Sequence, residues 1–244
     1  MKKLSILLGG AFFMLSIGFT NINAHNHYPE GDDKVKKTET KESQAKMTPT
    51  QAVQVLKEGN ERFVKGEALN YDFGTQVDKT STGQYPHSII LSCVDSRIPT
   101  EIVFDQGIGD VFNARIAGNF VNYDILGSME FATKVAGSKL IVVMGHTACG
   151  AVKGACDNAE LGNLTQMLDK IEPAIEAVET APGVERSSKN IEFVNDVALK
   201  NVMLTIDDIR TMSPVLKGMH DNGEIDIVGA MYDINTGKVT FVEM

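Results

Sequence analysis

"SKLIVVMGH", residues 138–146, decides the fold. Leu140 to Met144 are apolar without a break, and Ile141, Val142 and Val143 are β-branched. No polar residue alternates with them, so the stretch reads as a strand buried on both faces, as in parallel sheets. Upstream, "YDILGSMEFATKVAG" (123–137) has helical spacing and ends in glycine. Further back, "HSIILSC" (87–93) and "DVFNARIAG" (110–118) read as two more strands. Downstream, "TACGAVKGACDN" (147–158) begins as a helix, residues 163–180 and 187–212 have amphipathic spacing, and "SPVLKGMHDNG" (213–223) is a short helix with a glycine stop. "EIDIVGAMYDINTGKVTFVEM" (224–244) is two alternating runs around Asn235-Thr236-Gly237, a hairpin. Strands alternating with helices predict an α/β fold: a mostly parallel central sheet flanked by helices, with an antiparallel edge strand from the C-terminal hairpin.

The remainder divides the chain. Lys2 and Lys3 precede the apolar run "LSILLGGAFFMLSIGF", and Ala24 offers a small residue for cleavage, so residues 1–24 are expected to be a signal peptide. The mature protein is then exported, to the periplasm or beyond the cell, with no membrane attachment after cleavage. Residues 25–47 are polar and read as a disordered linker. At 48–67, Thr48 is an N-cap, Pro49 suits the first helical position and Gln51 completes a capping box, so a helical arm opens a domain spanning 48–244. Composition is that of a globular protein, 43% hydrophobic and 23% charged, with a net charge of −9. An acidic chain without a basic cluster argues against nucleic acid as partner. "GHTACGAVKG" (145–154) is glycine-rich but lacks the lysine–hydroxyl ending of a phosphate loop.

The chemistry gathers at strand ends. Cys93 ends the first strand, His146 ends "LIVVMGH", and Cys149 follows three residues on. Sites in open α/β sheets form outside the carboxyl ends of strands, so these segments can meet. Two thiolates and one imidazole suit Zn²⁺, and three protein ligands leave a fourth position open, as in catalytic sites. Gly145 and Gly150 are expected to permit a tight strand-to-helix turn. If residues 93–97 are extended, Cys93, Asp95 and Arg97 share one face. Asp95 could then orient a metal-bound hydroxide, with Arg97 paired to it. There are three cysteines; Cys156, seven after Cys149, would lie about 10.5 Å along a shared helix, beyond disulfide reach, and reads as core. His87 and His220 read as surface histidines able to pass protons to buffer.

"CVDSR" (93–97), "RIAGN" (115–119) and "GHTACGA" (145–151), in this order, resemble the β-class carbonic anhydrases over residues 48–244. The resemblance implies reversible hydration of CO₂ to bicarbonate, one zinc per subunit on Cys93, His146 and Cys149, an Asp95–Arg97 dyad, and a homodimer or homotetramer that exchanges its N-terminal arm. Gln84 matches a substrate-pocket glutamine. Arg115 matches the arginine of an allosteric bicarbonate pocket, although Ile90 stands where members with that pocket have tryptophan. From the residues alone, a structural zinc or a Cys93–Cys149 disulfide also remains open; the resemblance leaves CS₂ or COS hydrolysis open as well, and a zinc-stabilised bicarbonate-binding protein is the non-enzymatic alternative.

Overall fold

The computed structural model describes residues 34–242; the expected signal peptide and the first part of the expected linker lie outside them. The strands are β1 (Ser88–Ser92), β2 (Val111–Arg115), β3 (Leu140–His146), β4 (Asp226–Tyr232) and β5 (Val239–Val242). They form one sheet in the order β2-β1-β3-β4-β5, parallel except for β5, which pairs antiparallel to β4. The predicted sheet and its hairpin edge are thus present. β1 and β3 sit at the centre, and every residue of both is buried.

The helices are α1 (Lys41–Lys46), α2 (Pro49–Lys65), α3 (Phe73–Thr80), α4 (Thr100–Val103), α5 (Tyr123–Glu130), α6 (Gly150–Cys156), α7 (Asn163–Leu168), α8 (Glu172–Ala177), α9 (Ile191–Met212) and α10 (Pro214–Asp221). A π-helical turn, Phe131–Val135, extends α5. Alternate strand residues serve opposite faces. Ile90, Leu140, Val142 and Met144 pack in a core with Leu56 of α2, Val152 of α6 and Val197 of α9. Ile89, Leu91, Ile141 and Val143 pack in a second core with Leu126 and Met129 of α5, Ile206 and Ile209 of α9, and Leu216 of α10. Each such side chain contributes roughly 1.5–3 kcal/mol on burial. The unbroken apolar run of β3 is explained, since both its faces are covered.

Two segments differ from the sequence reading. Part of the expected linker is ordered: Thr40 caps α1 in a reciprocal box with Ser43. Buried Gln44 donates from Nε2 to the carbonyls of Pro86 (2.8 Å) and Ala136 (2.9 Å). Lys36 pairs with Asp110 at 3.0 Å, and a bridge joins Val35 to Asn70. Polar residues order this strap by satisfying backbone groups that apolar composition does not reveal. Residues 163–180 form two short helices, because Pro173 cannot continue the first and starts the second. The arm helix α2 closes on its own domain: Ala52 and Leu56 are fully buried, and Asn60 donates to Val103 and Gly237 and accepts from Val239.

Candidate metal centre

β1 and β3 are adjacent, with Ser92 in register with Met144, so Cys93 and His146 leave neighbouring strand ends together. Cys149 is the N-cap residue of α6. The ligand atoms of Cys93, His146 and Cys149 all lie within 4.8 Å of one another, and all three residues are buried. The two sulfurs are 3.9 Å apart. His146 Nδ1 lies 3.0 Å from the Thr147 carbonyl, to which a protonated Nδ1 donates. That leaves Nε2 as a bare lone pair, and it is buried without a hydrogen-bond partner.

The arrangement fits zinc. Two sulfurs on a tetrahedral zinc at the usual bond length lie about 3.8 Å apart. A ligating histidine characteristically gives its other N–H to a carbonyl, as here. In the metal-free pair, Cys149 donates to the Cys93 sulfur; this bond first, with smaller help from nearby backbone N–H groups, holds the Cys93 thiol down to about 4 against the effect of burial. Cys149, holding the proton beside that thiolate and buried, is pushed well up. All three cysteines are free thiols; Cys156 is buried at the end of α6, in the first core.

The stretch after Cys93 is not extended. The strand ends at Ser92, and Ile98 N–H bonds the Asp95 carbonyl (3.2 Å), closing a turn. That turn, rather than strand alternation, brings Arg97 back onto Asp95. Oδ1 accepts from Arg97 N (3.0 Å) and Nε (2.9 Å), and Oδ2 accepts from Nη2 (2.7 Å). The Arg97 hydrogen bonds hold the Asp95 carboxyl well below the usual carboxylate range. Asp95 Oδ2 also lies 4.0 Å from His146 Nε2, so the carboxylate borders the metal cradle with its orientation fixed.

The expected glycine turn is built differently. The left-handed residue between His146 and Cys149 is Ala148, at φ 54°, a conformation that costs a non-glycine residue about 1–2 kcal/mol. Gly145 instead serves close approach: a Cβ there would meet Met231 Sδ and Val202 Cγ2 at 2.8 Å. Gly118 is left-handed as well, at φ 84°, and its Cβ would strike Ile171 Cδ1 at 2.6 Å. Arg115 is exposed on β2 and binds the backbone of the Cys93 loop, with Nε to the Cys93 carbonyl (3.0 Å) and Nη2 to the Asp95 carbonyl (2.6 Å).

Other expected residues lie elsewhere. Gln84 is exposed before β1, at the end of the sheet opposite the cradle. His87 is no surface histidine: it is fully buried at that same opposite end, between Ser88 Oγ (2.7 Å) and Gln106 Oε1 (3.1 Å). His220 of α10 sits beside Arg210 and Asp226, where β4 begins. Neither reaches the cradle within the chain. Two residues that sequence reasoning missed do: Asn195 accepts from Ala148 N–H (2.9 Å), and Asn201 donates to the Gly118 carbonyl (2.7 Å). The signal for Asn201 was an amide inside the apolar stripe of α9, between Val197, Ala198 and Val202 on one side and Thr205 and Ile206 on the other.

Comparison with known proteins bears on the same region. A family model described as carbonic anhydrase matches residues 88–239. Over 194 residues the chain is 35% identical to "Carbonic anhydrase 2" of Mycobacterium tuberculosis, spanning 78% of this chain and 91% of that protein. Over 197 residues it is 34% identical to a carbonic anhydrase of Mycolicibacterium smegmatis, spanning 78% and 92%. Among solved structures, the β-carbonic anhydrase CcaA superposes with a TM-score of 0.60 at 23% identity, covering 78% of this chain and 95% of that one. A tetrameric β-carbonic anhydrase of Sordaria macrospora gives 0.59 at 23% identity, covering 70% and 91%. These two structures share the fold.

Proposed function

We propose that this chain, which belongs to the β-class carbonic anhydrases and is a carbonic anhydrase, hydrates CO₂ reversibly to bicarbonate and a proton with one zinc ion on Cys93, His146 and Cys149 and with Asp95 and Arg97 as its orienting dyad. The observation that carries this reading is the buried, unpartnered Nε2 of His146 beside two sulfurs at metal-bridging distance. A zinc ion bound there supplies a Lewis acid that makes hydroxide available from water near neutral pH. The protein's part is orientation. Arg97 occupies both oxygens of Asp95 on one side and keeps the carboxylate ionised, so Asp95 accepts a hydrogen bond rather than donating one. Its Oδ2, at the edge of the cradle, is placed to accept a hydrogen bond from a hydroxyl held there and would thereby orient that oxygen toward the substrate carbon. Two thiolates already offset the metal's charge, so activity should favour alkaline pH.

Gln84 contacts substrate in this reading only across subunits, since its own cradle lies at the other end of β1. A homodimer or homotetramer is part of the proposal. Supporting it are the open edge of β2 and the exposed side chains of Phe73, Ile102 and Ile108 around a groove of about 430 Å³. Arg115 spends Nε and Nη2 on carbonyls and keeps Nη1 for a regulatory bicarbonate. Export rests on the sequence of residues 1–24. The test is stopped-flow CO₂ hydration on purified protein with elemental analysis. Stoichiometric zinc, loss of turnover on metal removal and its return on readdition are expected; zinc-loaded protein without turnover, or full turnover in His146→Ala, would overturn the reading.

A further inference from the structure

The long helix α9 touches both halves of the metal cradle, each through one amide. Asn195 Oδ1 accepts the N–H of Ala148, the left-handed residue in the turn that delivers Cys149. Six residues on, Asn201 Nδ2 donates to the carbonyl of Gly118, in the loop after β2 that the Ile116 N–H ties to the Ser92 carbonyl (3.1 Å), next to Cys93. One amide therefore holds the Cys149 turn and the other holds the loop against Cys93. Packing does not explain either. Asn201 is 3% exposed within an apolar stripe, where a leucine would bury more apolar area. Ala148 stays in a strained backbone region only while its surroundings hold it there. The helix can act as a rigid reference because Gly145 lets it lie directly on β3, with the Ala198 carbonyl 3.4 Å from where a Cβ would stand.

We propose that Asn195 and Asn201 are positioning residues of the metal centre, which clamp the Cys149 turn and the Cys93 loop to α9 so that the two sulfurs stay at metal-bridging distance. The proposal rests on the zinc reading above. Its signature is polarity. Asn195 acts as an acceptor, a role aspartate can fill; Asn201 acts as a donor, a role an ionised aspartate cannot fill. One substitution therefore has opposite consequences at the two positions. Zinc affinity is measured by competition with a chromophoric chelator, and the thiolate-to-metal charge-transfer absorption is recorded on the Co²⁺-loaded protein. Asn195→Asp should stay close to wild type in both. Asn195→Leu, Asn201→Asp and Asn201→Leu should each lose about 10- to 100-fold in affinity and alter the charge-transfer band.

Asn195→Asp binding as weakly as Asn195→Leu would overturn the clamp, as would Asn201→Leu binding as tightly as wild type. Asn195 is only half-buried, so its two variants decide the matter if the buried position 201 does not tolerate change; equal affinities for that pair overturn the proposal. Wild-type protein lacking both stoichiometric metal and a thiolate band would instead sink the zinc reading. Wild type showing both, with variants that ignore the donor–acceptor pattern, would sink the clamp alone.

Discussion

Asp95 takes three hydrogen bonds from a single residue, Arg97, and its carboxylate has no hydrogen bond to any of the three candidate metal ligands. Asp95→Asn should therefore keep stoichiometric zinc while kcat falls by about 10²-fold or more; elemental analysis beside stopped-flow hydration checks both halves. At this scale the sequence was informative where residue type alone limits the chemistry. Two thiols and an imidazole at strand ends have few other uses, so Cys93, His146 and Cys149 were legible. The pairing of Asp95 with Arg97 was legible too, but not the turn that makes it. Ala148 left no mark, because nothing in an alanine announces a left-handed backbone. His87 was misplaced because its buried partner, Gln106, stands 19 positions away on a different segment.

At the level of elements, α9 lies so close to β3 that Gly145 has no room for a methyl group. Gly145→Ala should destabilise the fold by about 1–3 kcal/mol through overpacking, read as a lower urea midpoint with unchanged slope. The residue that leads into β1 carries a pH dependence. Burial, then Lys36 nearby, lower the pKa of His87 from 6.5, opposed by Gln106 and by the negative Asp110 and Glu39. The unfolded chain takes up a proton as pH drops below 6.5, while the folded chain keeps this ring neutral. Its stabilising effect is thus complete above 6.5 and is lost as pH falls toward the depressed folded value. The zinc-loaded wild type should lose more stability between pH 7.5 and 5.5 than His87→Gln, compared by urea unfolding. Periodicity found all five described strands, the central two as unbroken apolar runs and the last two by alternation around a turn. It joined α7 and α8 because spacing alone does not weigh Pro173, and it passed over α3, whose start is signalled by Asp72 accepting from Thr75 N–H.

Across the whole molecule, chemistry and closure occupy opposite ends of the sheet. The cradle lies past the carboxyl ends of β1 and β3. The strap of residues 34–47 fastens at the amino ends, to Pro86 before β1, Asp110 before β2 and Ala136 before β3. Asp110 is almost fully buried, and Lys36 is its one cationic partner among the described residues. Lys36→Met should therefore cost about 3 kcal/mol in urea unfolding, with much of that recovered in the Lys36→Met/Asp110→Asn double variant. A disordered linker would predict no effect from Lys36→Met alone. Composition concealed this strap because its hold is polar and long-range, reaching from Gln44 to Ala136.

Because the strap is stitched to the amino ends, its residues stand on the side of the sheet that faces away from the candidate metal cradle. A bulky label or bead coupled to the exposed Lys37 would leave the entrance to the cradle unobstructed.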